Sequence, residues 1–181
     1  MNREEAQQIL DEADLIVSAA EVAAAVSQVA DAVEEVLAES YPLVLAVMGG
    51  ATIFAGHLLP QLAFPLEYDY LHATRYGDLI TGGEIAWVVE PRTPVQGRVV
   101  LLVDDILDEG ITLAAIRDRL MVQGAKAVYT AVFADKANGV KKPLKADFVG
   151  VTLPNRFVFG FGMDVKGAWR NLPAIYAVKG L

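Results

Sequence analysis

Three aspartates, a glutamate and a threonine crowd the end of one apolar run. Val99-Val100-Leu101-Leu102-Val103 leads straight into Asp104-Asp105-Ile106-Leu107-Asp108-Glu109-Gly110-Ile111-Thr112. An unbroken apolar run of that length reads as a strand buried on both faces. Leu113, Ala114, Ala115, Ile116 and Leu120 continue as an apolar helical face, so the segment is strand, acidic loop and helix N-terminus. A helix N-terminus offers backbone N–H groups to an anion. In open parallel sheets, ligands bind beyond the carboxyl ends of the strands. Carboxylates beside such a cradle repel an anion unless they hold its hydroxyls or a divalent cation. A sugar phosphate carrying Mg²⁺ meets all of these demands. Apolar strands ending in Asp-Asp also serve nucleotide hydrolases and response regulators. The Gly-x-x-x-x-Gly-Lys-Ser/Thr of a P-loop hydrolase, however, matches nothing in this chain.

The remaining elements must hold that loop in place. Ser18-Ala19-Ala20-Glu21 has the form of a capping box. Val22, Val26, Val29, Val33, Val36 and Leu37 fall on one stripe, which predicts an amphipathic helix over about 19–39. A shorter helix is expected over 3–13, and Pro42 ends the long one ahead of a buried strand at 43–48. Gly49-Gly50 turns the chain into a helix over 52–62. Strands are expected at 67–71, 85–89, 98–103, 127–134 and 147–151, with a helix over 111–123. This alternation implies an α/β fold, a parallel sheet with helices on both faces. The Phe- and Gly-rich C-terminal part is expected to form a small cap over the strand ends. The reading is one domain over 1–181, with a core at about 20–150 and a cap from about 1–18 and 152–181.

Composition bounds the class. A chain of 181 residues with 54% hydrophobic and 21% charged content has a full core and no extensive disorder. Its apolar runs are strand-sized and interrupted, so no membrane span is expected. The opening Met1-Asn2-Arg3-Glu4-Glu5 is unlike a signal peptide, and without cysteine there is no disulfide or thiolate. A cytoplasmic location is the simplest fit. The net charge of −8 argues against a nucleic-acid partner. Attraction of a polyanionic ligand must then come from Mg²⁺ and local N–H groups.

The strand, acidic loop and helix resemble the phosphoribosyl pyrophosphate-binding loop of the type I phosphoribosyltransferases. The resemblance implies that Asp104 and Asp105 hold the ribose 2′- and 3′-hydroxyls. It gives the 5′-phosphate to the backbone of Asp108, Glu109, Gly110, Ile111 and Thr112, with the Thr112 hydroxyl. Glu109 replaces the usual small hydroxyl residue, and Ile111 stands where a polar residue is frequent. A second negative charge beside Asp108 is expected to raise the pKa of one of the two.

Four more segments resemble, in order and spacing, the 6-oxopurine branch of that family, the hypoxanthine-guanine phosphoribosyltransferases. Together they carry the resemblance from about residue 14 to the end. Val47-Met48-Gly49-Gly50-Ala51 is similar to the pyrophosphate loop. There the family often has a non-proline cis peptide, implied here at Val47–Met48 or Met48–Gly49. Met48 and Gly49 lack the basic or Asn side chain many members carry, so contact rests on amides. Leu71-His72-Ala73-Thr74-Arg75-Tyr76-Gly77-Asp78, running on to Thr81-Gly82-Gly83-Glu84, resembles the mobile loop that closes over the reacting centre. Arg75 and Tyr76 would cover the pyrophosphate.

Lys136 stands where this branch places a Lys donating to the purine O6. The amino group of adenine would face that ammonium, so Lys136 implies an oxopurine. In Asn155-Arg156-Phe157-Val158-Phe159-Gly160-Phe161-Gly162-Met163-Asp164, Phe157 would stack on the base and the Val158 backbone would read its edge. Asp164, grouped with the purine-binding residues, would ligate a Mg²⁺ on the pyrophosphate, with Asp104 and Asp105 as the other metal-holding residues. By residue type alone, Phe157, Phe159 and Phe161 read as one face of a core strand. Arg170 would pair with the leaving pyrophosphate.

The implied reaction moves phosphoribose from phosphoribosyl pyrophosphate to N9 of hypoxanthine or guanine, with Mg²⁺ as cofactor and Asp108 as general acid/base at N7. A homodimer or homotetramer is implied as well. Two alternatives stay open. One is a xanthine-guanine enzyme, since xanthine differs from hypoxanthine only at C2. The other is a ligand-sensing regulator on the same fold, which needs a nucleic-acid surface that 15 Lys+Arg at net −8 do not evidently provide.

Overall fold

The computed structural model describes residues 1–75 and 85–180. Helix α1 (Arg3–Glu12) and strand β1 (Asp14–Val17) lead into α2 (Ala19–Leu37). The capping box closes there. Glu21 N–H donates to Ser18 Oγ at 3.3 Å, and Ser18 N–H donates to Glu21 Oε2 at 2.8 Å. Val22, Val26, Val29, Val33 and Leu37 are buried, whereas Val36 lies at the edge of the stripe and is exposed. Then come β2 (Leu43–Val47), α3 (Ala51–Leu58) with a 3₁₀ turn at Leu59–Gln61, β3 (Glu67–Arg75), β4 (Ile85–Val89) and β5 (Val99–Leu107). Helix α4 (Ile111–Val122), β6 (Ala127–Ala137), β7 (Phe148–Pro154), β8 (Val158–Phe159) and β9 (Ile175–Ala177) complete the order.

Six strands form one sheet in the order β4-β3-β2-β5-β6-β7. All pairs are parallel except β3 and β4, so the expected parallel sheet carries one antiparallel edge. Helix α3 packs on β5 and on α2, which covers β7, while α4 packs against β3 and β6. Every residue of β2 is buried, as are Val100–Val103 of β5. Burial on both faces is why these strands read as continuous apolar runs. The chain leaves β2 toward β3 on one side and returns to β5 on the other. That reversal opens a crevice at the carboxyl ends of β2 and β5.

Three strands run further than their apolar pattern indicates. Leu71–Arg75 belongs to β3, paired with β4 from His72↔Val89 to Arg75↔Ile85, which corrects the expectation of a loop beginning at Leu71. Tyr76 and the rest of the expected closing loop lie outside the described residues. The end of β5 holds Asp104 and Asp105 in register with β6, as far as Leu107↔Asp135. The end of β6 holds Lys136 against Leu153. Ladder bonds to a neighbour carry these polar ends, and such bonds leave no trace in hydrophobic periodicity. Asp104, Asp105 and Lys136 therefore stand on strands instead of loops.

Two anchors tie the surroundings down. A smaller antiparallel sheet, β1-β9-β8, joins the first and last segments. It is reinforced by an Arg156–Asp14 ion pair at 2.8 Å and by Trp169 Nε1 donating to Ala6 O at 2.7 Å. On the other side, the buried Asp69 carboxylate accepts from the N–H groups of Tyr70, Arg92 and Thr93 at 2.8, 2.7 and 2.8 Å. Burial pushes its pKa up, but the backbone donors outweigh burial and leave it lowered. A folded value below the unfolded one means the stabilisation is complete above about pH 4 and is lost as the pH falls through the folded value. Asp69→Ala is expected to cost about 3 kcal/mol at neutral pH by leaving three donors unpaired. Denaturant melts at pH 7 and pH 3 check this. The gap from the parent should narrow at pH 3, and an equal gap at both would show that the charge contributes nothing.

Candidate active site

Asp104 and Asp105 follow directly on the continuously buried Val100–Val103 of β5. Asp105 N–H donates to Asp104 Oδ1 at 2.9 Å, and Ile106 N–H donates to Asp105 Oδ1 at 2.8 Å. Burial raises the pKa of Asp104 well above the usual range, and the charge of Asp105 raises it further. Burial raises Asp105 too, offset in part by its hydrogen bond to Asp104, the Ile106 N–H and the charge of Arg170. Backbones crowd this pair closely. A Cβ on Gly50 would lie 1.9 Å from Asp105 Oδ2, and one on Gly162 would lie 2.3 Å from Gly50 O. Only glycine lets the loop after β2 and the loop after β8 meet over Asp105. The peptide Met48–Gly49 is cis, the second of the two expected positions.

Gly110, at φ +76°, is the N-cap of α4 and has no side chain with which to cap it. The loop borders a cavity of about 270 Å³ lined by Met48, Gly50, Asp104, Asp105, Asp108, Glu109, Gly110, Thr112 and Arg170, among others. Gly49 and Ile111 do not line it, and Ile111 is exposed. Arg170 Nη2 pairs with Asp164 Oδ1 at 2.5 Å, and Arg170 Nη1 donates to Gly162 O at 2.6 Å. Asp164 Oδ2 also accepts from Gly167 N–H at 2.7 Å. Among the described residues no three carboxylates or imidazoles gather as a metal cluster. Asp164, expected along with Asp104 and Asp105 to hold metal, pairs here with Arg170.

A second cavity, of about 190 Å³, is lined by Lys136, Phe157, Val158, Met163 and Asp164. It meets the first at Asp105, Ile106 and Asp108. Lys136 Nζ donates to Asp108 Oδ2 at 3.0 Å, and Asn138 Nδ2 donates to Asp108 Oδ1 at 2.9 Å and to its carbonyl at 3.0 Å. Burial pushes the Asp108 carboxyl up. The hydrogen bonds from Lys136 and Asn138, with the charges of Lys136 and Lys142, outweigh it and hold Asp108 below the ordinary range. Of the two neighbouring carboxyls, one of which was expected to be raised, Asp108 is lowered instead. Two cations and an amide outweigh its burial.

Residues 13–166 match the phosphoribosyl transferase domain family. The hypoxanthine-guanine phosphoribosyltransferase of Bacillus subtilis is 34% identical over 142 residues, covering 78% of this chain and 79% of that protein. The chain belongs to the hypoxanthine-guanine phosphoribosyltransferase family. The family member of Lactococcus lactis is 35% identical over 150 residues, 80% of this chain and 81% of its own. A solved hypoxanthine-guanine phosphoribosyltransferase from Bacillus anthracis superposes with a TM-score of 0.86 at 29% identity, covering 91% of this chain and 98% of that one.

Against this phosphoribosyltransferase fold, the aromatic run needs correction. Phe157 is 46% exposed at the mouth of the second cavity, while Phe159 and Phe161 are buried. Strand β8 is only Val158–Phe159, and positive φ at Gly160, Phe161 and Gly162 breaks the alternation that would have stacked all three on one face. His57 is exposed on α3 with its ring 5.2 Å from that of Phe161. Two site residues escaped the sequence reading: Asn138 and Lys142. Both sit between β6 and β7, where a polar, charged stretch reads as a solvated loop.

Proposed function

We propose that this chain transfers the 5-phosphoribosyl group of phosphoribosyl pyrophosphate to N9 of hypoxanthine or guanine, giving IMP or GMP and pyrophosphate. One observation carries the reading. The Lys136 ammonium, the Asp108 carboxylate and the Phe157 ring border one cavity, and that cavity opens at Asp108 onto the acidic loop. A cation for O6, a carboxylate for N7 and a ring for the base face stand beside a cradle for a sugar phosphate. Asp104 and Asp105 would hold the ribose hydroxyls, and the amides of Asp108–Thr112 the 5′-phosphate. The base displaces pyrophosphate at C1′ with inversion, and rate comes from positioning and charge stabilisation.

Mg²⁺ suits the donors present. Asp104 and Asp105 are hard oxygen ligands whose carboxyls burial raises, so a bound cation would favour their ionised form. Magnesium is usually held by one or two carboxylates together with substrate oxygens and water. When bound it would neutralise the departing pyrophosphate. Arg170, on the same cavity, would add a second positive charge, with Asp164 orienting its guanidinium.

Nucleotide formation from phosphoribosyl pyrophosphate and Mg²⁺, run in parallel with four bases, tests the reading. Hypoxanthine and guanine should turn over and adenine should not, while the xanthine rate identifies the C2 preference. No turnover by folded protein would overturn it. The same reading makes the chain one cytoplasmic domain of core and cap, assembled as a homodimer or homotetramer, acting on small molecules and on neither nucleic acid nor membrane. Sedimentation velocity checks the assembly. A further expectation concerns Asp104→Asn, which relieves a buried like-charge pair. It should raise Tm by about 2–4 °C, the shift of roughly 1 kcal/mol in a chain of this size, while lowering kcat/KM for phosphoribosyl pyrophosphate. A lowered Tm would show the pair is not under electrostatic load.

A further inference from the structure

We propose that Lys142 is a positioning residue that clamps the ends of β5 and β6 so that Asp108 and Lys136 face one cavity. The inference rests on the transferase reading above. Lys142 lies between the quoted motifs, at none of their positions, and its side chain is 13% exposed. Its ammonium donates to Leu107 O at 2.7 Å, to Lys136 O at 2.7 Å and to the Asp135 carboxylate. An ammonium has three donors, and the protein takes all three. None remains for a substrate, so Lys142 acts through the residues it holds.

What it holds is specific. Leu107↔Asp135 is the last registered pair of β5 and β6. Beyond it the two strands part, one toward Asp108 and the phosphate loop, the other through Lys136. Lys142 therefore bridges the strands at the point where ladder bonds stop and the site begins. Its own segment also packs on the phosphate loop. A Cβ on Gly110 would lie 3.6 Å from both Lys142 Cβ and Pro143 Cδ. A solvated loop lysine has no reason to cross this junction with every donor engaged.

Steady-state kinetics of the full chain with phosphoribosyl pyrophosphate, Mg²⁺ and either hypoxanthine or guanine test the clamp. Lys142→Met should lower kcat/KM about 10- to 100-fold, the cost of misplacing reacting groups by roughly an ångström. Both bases should suffer alike, since Lys142 touches neither. KM for phosphoribosyl pyrophosphate should rise as well, and Lys142→Arg should recover most of the loss. Kinetic constants within twofold of the parent, whatever happens to Tm, would overturn the proposal. If Lys142→Met does not fold, Asp135→Ala removes one acceptor and keeps the ammonium. A several-fold fall in kcat/KM then supports the clamp, and unchanged constants overturn it. A parent protein without turnover counts against the transferase reading instead. In that case GMP titration tests the clamp: weaker GMP binding by Lys142→Met supports it, and equal binding overturns it.

Discussion

Lys136→Met is expected to lower kcat/KM for hypoxanthine and guanine about 10³-fold, with adenine gaining little. Two losses combine. The base forfeits a charged donor at O6, a polar match of the kind that gives an enzyme its largest discrimination. The partly buried Asp108 carboxylate also forfeits its cation, since Lys136 Nζ stands 3.0 Å from Asp108 Oδ2 and its side chain is 14% exposed. Because the Asp108 side chain is 48% exposed, solvent screens this second loss, which adds only about 1 kcal/mol. The variant should also change the pH profile in a set direction. Lys136 helps hold Asp108 below the ordinary carboxylate range. Activity that needs the carboxylate ionised is lost as pH falls through its pKa, so losing the cation moves the acid limb to higher pH. Parallel kinetics with the four bases, repeated across pH 4–8, check both effects. Unchanged guanine kinetics would reduce Lys136 to a structural ion pair.

Asp108→Asn should lower kcat about 10²- to 10⁴-fold with little change in KM. The amide keeps the shape and can still accept from Asn138, but it cannot take a proton from N7. In the substrate-free chain Asp108 is a weak base, because Lys136 and Asn138 both donate to it. On the proposed reading, a base whose O6 draws the Lys136 ammonium away removes one of those donors. The carboxylate then gains basicity at the moment a proton must move. Single-turnover rates separate this chemical step from product release. A near-normal rate in Asp108→Asn would remove the acid/base role.

The order of elements was legible because each strong local signal agreed with the global fold. The Ser18–Glu21 box, the valine stripe of α2 and the apolar run of β5 each depend on neighbours within a few residues. Gly50 and Gly162 were visible as glycines, yet only the folded chain shows that Asp105 and the Gly50 carbonyl leave no room for a Cβ. Strand ends were not legible. Arg75, Asp104, Asp105 and Lys136 are polar, and long-range ladder partners hold them.

The quoted motifs carried the family resemblance; by itself, then, the chain's order of residues determined the α/β class and the acidic loop between strand and helix. These are matters of periodicity, turn chemistry and spacing, which act over short stretches. Tertiary structure alone decided the pairings that set charge. Lys136 and Asn138 reach Asp108 from 28 and 30 residues away, Lys142 reaches Leu107 from 35 away, and Arg170 turns to Asp164. A pKa depends on the field at one carboxylate, and that field is set by side chains brought together across the sheet. Spacing along the chain carries no record of it.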